Sequence, residues 1–400
     1  MLNTQPITLS HARTQFIVWT MLCIMPIIGM CIDLIAPSLP AIAQGLKISN
    51  AMAKNTVSIY LLGFCLGNFF SGFLADAWGR AKIMRTALLI FTVVSAIPLV
   101  FPHIIALLLS RLLQGLAIGT ASVVLRAICS DVLSPDGLIK LGPWFGTMWG
   151  FGPVFGPVLG GYLQVYFGWQ AGFYFFSIVS LIICLVVWFG LPETHFNRHP
   201  LEVAHIKKNI SEILHHRLFL GIAAVMGLTY SLIILFNVSG PFLIQVTLHH
   251  SPIFFGHVAF WLGVVFLLTT ISIRLLLKKY SVEKLWLVNI NSLFAAGIIF
   301  LCLSYFFLHS MWLIAVASAV MFLGCGAIFP ISLGKGLSLF RYMAGTATAV
   351  MYLINIGITS LCAYLAGFIH VRDAFILMWL YMTFVFLVVL IYWTILRKQQ

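Results

Sequence analysis

The chain has 400 residues, of which 62% are hydrophobic and 8% charged. A soluble domain carries roughly 25% charged residues, so these proportions exclude an ordinary soluble protein and indicate a polytopic membrane protein. The net charge of +13 would suit a nucleic-acid binder, but the placement of the charges argues against nucleic acid as a partner.

A spanning helix needs about 20 mostly apolar residues. The polar start, MLNTQPITLSHARTQF, runs into a long apolar stretch with no small-residue cleavage site behind it, which reads as a retained first span rather than a signal peptide. Apolar runs predict spans near 16–40, 51–75, 82–101, 104–128, 138–165 and 170–191. A hydrophilic segment, PETHFNRHPLEVAHIKKNISEILHHR (192–217), separates them from six more near 218–244, 253–277, 285–307, 311–334, 342–369 and 373–396. The expected organisation is therefore an all-α, six-helix half (1–191), a linker (192–217) and a second six-helix half (218–400). Lys and Arg fall unevenly between the two sides. Arg13, Arg80, Lys82, Arg85, Arg126, Lys140, Arg198, Lys207, Lys208 and Arg217 lie on one side. So do Arg274, Lys278, Lys279, Lys284, Lys335, Arg341, Arg397 and Lys398. Only Lys47, Lys54 and Arg372 lie on the other, and Arg111 is inside a span. Cytoplasmic loops are rich in Lys and Arg, so both termini and the linker are expected in the cytoplasm, with the protein in the inner (plasma) membrane.

Charges inside a span are costly and usually functional. Asp33 sits in span 1 (GMCIDLIAPSLP) and Arg111 in span 4 (LLLSRLLQGLAIGT). Both fit a polar central cavity in which Asp33 binds and releases a proton and Arg111 holds polar neighbours. Asp33 as an interfacial cap, or a purely structural Asp–Arg pair, are the alternatives. A carboxyl group facing such a cavity can exchange a proton with either side of the membrane, and a cargo that competes with the proton gives exchange. The loop GFLADAWGRAK (72–82) places Gly72, Asp76, Gly79 and Arg80 at a basic helix end. Asp76 is expected to face the positive N-terminus of span 11, and Arg80 to pair with Asp131 of RAICSD, latching the two halves. In GFGPVFGPVLGG (150–161), Gly152, Gly156 and Gly160 recur every four residues and present a smooth face for close helix packing. Pro153 and Pro157 bend the helix, and with Gly161 the stretch is expected to serve as a hinge and seal.

The linker holds His195, His199, His205, His215 and His216, but no carboxylate or cysteine completes a metal site, and no metal or cofactor is expected. LEVAHIKKNISEILHHR is expected to form an amphipathic surface helix, with Leu201, Ile206, Ile210 and Ile213 or Leu214 on one face. The eight cysteines lie in or beside apolar runs without zinc or redox spacing and read as apolar filler. No serine has an evident His and Asp partner at span depth, so an enzyme is not expected. A receptor would need an output domain that the short termini do not supply.

The motif Gly72-x-x-x-Asp76-x-x-Gly79-Arg80-x-Lys82, with the six-plus-six plan, resembles the signature loop of the major facilitator superfamily. RLLQGLAIGTASVVLRAICSD (111–131) and GPVFGPVLGG (152–161) resemble motifs of its twelve-span drug:proton antiporters. DLIAPSLPAIA, LPET, SGPFLIQ and AGTATAV resemble the Bcr/CflA drug-resistance subfamily. The resemblance implies two halves of inverted three-helix repeats and a monomer that exports drug-like amphipathic molecules in exchange for protons by alternating access. A dedicated exporter of a metabolite such as a siderophore or peptide is the alternative, and a channel is a more distant one. It further implies a substrate site between the halves near the bilayer midplane, for which position nominates Tyr60, Asn68 and Gln114 beside Asp33 and Arg111, and Tyr230, Asn237 and Asn355 from the second half. Trp149 and Trp261 are expected to stack on cargo, and Trp169 and Trp286 to sit in the interfacial belt. The glycine-rich span 5 is expected to pack on span 8, near HVAFWLGVVFLLTT. Three departures stand out. The signature loop has Ala77 and Ala81 where basic residues are usual, with Lys82 one place on. The matching loop of the second half, SIRLLLKKYSVEK, lacks the glycines and aspartate, arguing against a second latch. MPIIGMCI carries no additional acid before Asp33, arguing against divalent-cation cargo or a two-proton scheme.

Overall fold

The computed structural model describes residues 10–196 and 203–397, and every regular element among them is helical. Lipid offers no partner for backbone N–H and C=O groups, so apolar runs of this length satisfy themselves as helices. The first span is composite: α1 (His11–Asp33), a 3-10 turn (Ala36–Ser38) and α2 (Leu39–Gly45). Pro37 and Pro40 stand where this path is interrupted, at first-turn positions that need no amide donor. There follow α3 (Asn50–Trp78), α4 (Arg80–Val100), α5 (Ile104–Val132), α6 (Pro135–Phe167) and α7 (Ala171–Gly190). A short α8 (Val203–His215) precedes α9 (Arg217–Pro241), which continues in a wide π-type turn (Phe242–Thr247). The chain closes with α10 (Pro252–Leu276), α11 (Val282–Phe306), α12 (Met311–Ser338), α13 (Ala344–Gly367) and α14 (Ala374–Ile391).

Helix starts follow local chemistry. Ser49, Ser251, Ser281 and Ser310 accept from backbone amides in the first turns of α3, α10, α11 and α12, and Asp373 does so for α14. The turn from α3 to α4 passes through Gly79 at φ 96°, a left-handed geometry that costs glycine little. Among the described residues eleven helical spans are long and apolar enough to cross a membrane. The further long helix is α6, 33 residues whose apolar character is diluted by glycine and proline.

The membrane helices before Leu191 pack around one apolar cluster and those after Arg217 around another. The first set is joined by α3–α5, α4–α5, α4–α7 and α1–α6 contacts, the second by α9–α12, α9–α13, α10–α12 and α11–α14. Two long seams, α3–α13 and α6–α10, connect the sets. The all-helical architecture is the one expected, but three aromatic placements differ. Trp286 is fully buried and donates to Ser332, 3.2 Å away, and Trp169 is buried against Gly45, so neither lies in an interfacial belt. Trp261 is 65% exposed on the outside of the bundle, where no cargo cavity reaches it. Helix α8 packs on α9 and α13, and burial of Ile213 decides which of the two expected positions faces inward, since Leu214 is exposed. The Tyr342 hydroxyl donates to the Glu212 carboxylate of α8, which raises the pKa of that phenol. Leu201 and His199 lie outside the described residues.

Candidate functional site

Asp33 closes α1 and is 7% exposed. Its Oδ1 accepts from Asn237 Nδ2 of α9 at 2.8 Å, a bond that crosses from the first set of helices to the second. Space for Asp33 comes from α6, where a β-carbon on Gly156 would sit 3.0 Å from the Asp33 Cβ. The glycine face thus serves α1: Gly152 rests on the backbone of Gly29, Gly156 on Asp33 and Gly160 on Leu34. The expected partner, span 8, lies on another side of the same helix. There the carbonyls of Pro153 and Pro157 abut Gly263 and Gly256 of α10, and Gly161 abuts Pro252. Helix α6 is therefore clasped closely on two sides, and the absence of side chains on Gly256 and Gly263 is what lets α10 approach its backbone.

Arg111 is 1% exposed, held within the first set of helices rather than beside Asp33. Its Nη1 donates to Gln114 Oε1 at 2.9 Å, its Nη2 to the Cys31 carbonyl at 3.0 Å, and its guanidinium lies 4.3 Å from the Tyr60 ring centroid. Gln114 Nε2 passes the network on to Ser95 Oγ at 2.8 Å. No direct Asp33–Arg111 ion pair exists. Two hydrogen bonds and a ring satisfy the cation instead, although its Nε has no partner.

Between the two sets lies a cavity of about 400 Å³ with mostly apolar walls. Tyr60, Asn68, Tyr230 and Asn355 line it, as does Trp149. Gln114 and Asn237, nominated with them, do not: one belongs to the Arg111 network and the other to Asp33. Asn68 is itself tied to Phe64 and Ser122, whereas Asn355 Oδ1 has no partner. Sequence reasoning missed Phe266, Phe329, Tyr352 and Arg126 as lining residues, because an apolar helix does not reveal which of its faces meets a void. The cavity extends toward the ends of α5 and α12, the basic end of the bundle, where Arg126, Leu337 and Thr348 line it.

Hydrogen bonds between the two sets run from mid-depth to the opposite end. Cys65 donates to the Leu353 carbonyl (3.2 Å) and Ser360 to the Ser58 carbonyl (2.8 Å). At the far end Gln245 donates to the Pro37 carbonyl, and buried Lys54 to the Ile369 carbonyl, each at 2.9 Å. The Lys54 ammonium also lies 5.4 Å from the centroid of Phe242. Sequence inspection registered Lys54 only as a charge on the sparsely basic side. Its reach to a carbonyl 315 residues away has no local signal.

At the basic end Arg80 forms an ion pair with Asp131 and donates to the Ala127 carbonyl at 2.6 Å. Asp76 pairs with Arg80 on its own turn at 3.2 Å, half exposed, and not with the start of α13. Glu193 caps the start of α4 by accepting from the Arg80 amide at 3.0 Å, and Thr194 Oγ1 donates to Asp131 at 2.9 Å. All of these residues precede α8, so the cluster ties helix ends within one set rather than across both. A β-carbon on Gly72 would make one ordinary contact, with Val123 Cγ1 at 4.0 Å. The second set carries a counterpart with reversed charges. Glu283 at the start of α11 pairs with Lys335 at the end of α12 at 3.0 Å, despite the missing motif.

A family model described as Major Facilitator Superfamily matches residues 21–358. A bicyclomycin resistance protein homolog of Haemophilus influenzae is 27% identical over 72% of this chain and 69% of its own. Multidrug resistance protein MdtL of Klebsiella pneumoniae subsp. pneumoniae is 26% identical over 84% of this chain and 85% of its own. Among solved structures, the inward-open xylose transporter XylE from E. coli superposes with a TM-score of 0.74 at 14% identity, covering 96% of each chain, a likeness of fold. With two helical sets around one central cavity and a family match along most of its length, the chain belongs to the major facilitator superfamily of multi-pass membrane transporters of small molecules.

Proposed function

We propose that this transporter is a proton-coupled antiporter that exports drug-like amphipathic molecules across the inner membrane. The observation that carries the reading is Asp33. Among the described residues it is the one buried carboxylate, and its single side-chain hydrogen bond reaches Asn237 in the other set of helices. A proton gained or lost there changes the one bond that links α1 to α9, so protonation and the relative position of the halves are coupled by geometry. Support for drug-like cargo comes from the apolar, aromatic cavity and from relatives named for multidrug and bicyclomycin resistance. Halves 1–191 and 218–400, joined by linker 192–217, rock about the α3–α13 and α6–α10 seams in a monomer. Orientation follows the Lys and Arg bias, with both termini and the basic end in the cytoplasm. In this arrangement the cavity receives cargo from the inside, while Lys54, Gln245 and Ser360 hold the outer side shut.

Replacing Asp33 by Asn keeps the shape and much of the hydrogen-bonding capacity but removes the titration. The Asp33→Asn protein should reach the membrane in parent amounts and lose efflux driven by an imposed proton gradient in proteoliposomes. Gradient-driven efflux at parent rates would exclude Asp33 as the proton carrier.

A further inference from the structure

The cavity has the walls of an aromatic site and the charge of an anion site. Tyr60, Phe64, Trp149, Tyr230, Phe266 and Phe329 supply flat faces, and Arg126 is the one charged residue among those that line it. Arg126 lies nearly two turns inside the end of α5, with its side chain on the cavity wall rather than in a loop. Among the described residues it has no hydrogen-bond or ion-pair partner. A second guanidinium stands close by: Arg274 Nη2 of α10 is 3.2 Å from where a β-carbon on Gly146, another lining residue, would be. It too is unpaired among the described residues.

Among the described residues no carboxylate is available to balance them, Asp373 being taken up as the cap of α14. Asp76 and Asp131 belong to Arg80, Glu283 to Lys335, and Glu212 to Tyr342. Glu193 accepts from four backbone amides, and Asp136 is exposed in the first turn of α6, outside the cavity lining. Asp33 is turned to Asn237 and does not line the cavity. A lipophilic cation entering here meets aromatic faces, the Arg126 guanidinium with Arg274 behind Gly146, and no counter-charge among the described residues. An aromatic molecule with one carboxylate meets the same faces and a fork of donors that matches its two oxygens.

We propose that the cavity selects aromatic amphiphiles bearing a single anionic group over lipophilic cations, with Arg126 receiving the anion and Arg274 adding to its field. The direction of transport rests on the export reading above, whereas the binding preference does not. A phospholipid phosphate presents the same chemistry, so the test separates cargo from lipid.

The full-length protein in phosphatidylcholine nanodiscs at pH 7 is titrated with three probes sharing one ring system: 2-naphthoate, neutral 2-naphthamide and 2-naphthylmethylammonium. Naphthoate should bind about tenfold more tightly than the ammonium, equivalent to ~1.4 kcal/mol. Arg126→Gln should abolish that preference while naphthamide still binds, which also reports the fold, and Arg126→Lys should keep most of it. Equal affinities, tighter binding of the ammonium, or a preference intact in Arg126→Gln would overturn the proposal. Adding phosphatidylglycerol should weaken naphthoate only while Arg126 is present. The same weakening in Arg126→Gln would place the anion site elsewhere and overturn the assignment to Arg126. Proteoliposome export of the same probes separates the two readings. Charge-selective binding without export refutes the exporter and leaves the site standing. Export of naphthamide without any charge preference does the reverse.

Discussion

A single β-carbon separates two neighbouring glycines of α6 in what they tolerate. At position 156 it would meet the side-chain Cβ of Asp33 at 3.0 Å, a contact that a shift of a few tenths of an ångström relieves. At position 152 it would run into the Gly29 backbone, which has no side chain to rotate away. Alanine also favours a helix over glycine by about 1 kcal/mol. Gly156→Ala should therefore keep its unfolding temperature in detergent while Gly152→Ala loses roughly 1–3 kcal/mol of stability. A Gly152→Ala protein as stable as its parent would mean that the two backbones are not in the contact described. Gly156→Leu, which cannot clear Asp33, should abolish transport. The four-residue spacing of these glycines was plain in the sequence, and so was the oddity of Asp33 and Arg111 in apolar runs. Their partners were not. Which helix a smooth face meets is decided by how twelve helices pack, and the spacing reads alike for α1 and for α10.

Two ion pairs at helix ends show how far a motif reaches. Arg80 pairs with Asp131 in a half-enclosed cluster that also holds Ala127, Thr194 and Glu193. Lys335–Glu283 is more open, with side chains 30% and 39% exposed. Removing one partner of an enclosed pair leaves the other charge uncompensated, whereas an open pair contributes about 0–1 kcal/mol. Arg80→Ala should thus destabilise α4 and α5 by roughly 3 kcal/mol, and Lys335→Ala by less than about 1 kcal/mol. Hydrogen exchange at the ends of these helices measures both. Equal losses would show that the surrounding hydrogen bonds add nothing. The Arg80 cluster was legible because its loop carries a recognisable glycine and aspartate pattern. The Glu283 pair was not, since its only signal is an acid at one helix start and a base at a helix end 52 residues away. Opposite charges at neighbouring helix ends suffice for the bond, and no glycine is required.

For the molecule as a whole, the bonds between the halves divide its two ends. Lys54, Gln245 and Ser360 close one, and a cavity reaches the other. If the closed end faces outward, breaking the Lys54–Ile369 bond must precede release. Lys54→Met should therefore shift the resting population toward an outward-open form. In protein whose native cysteines are replaced by serine, a cysteine at position 230 should then react at least about threefold faster with an impermeant maleimide added outside, a shift of under 1 kcal/mol. An unchanged rate would show that the ammonium is not what holds this end. The all-helical architecture followed from the apolar runs, whereas the closure did not, because it joins residues far apart in sequence through backbone carbonyls. The clasp around α6 has a further consequence, which concerns evolution rather than motion. Every single-nucleotide change that replaces a glycine codon introduces a side chain or ends the chain, and at Gly29, Gly152, Gly160 and Gly161 that side chain strikes backbone. A deep mutational scan should show Gly152, Gly160 and Gly161 of α6, with Gly29 facing them from α1, as barren positions, beside lipid-facing sites of α7 and α11 that accept almost any apolar residue. New cargo specificities must then arise by drift along the aromatic wall, never along the clasp.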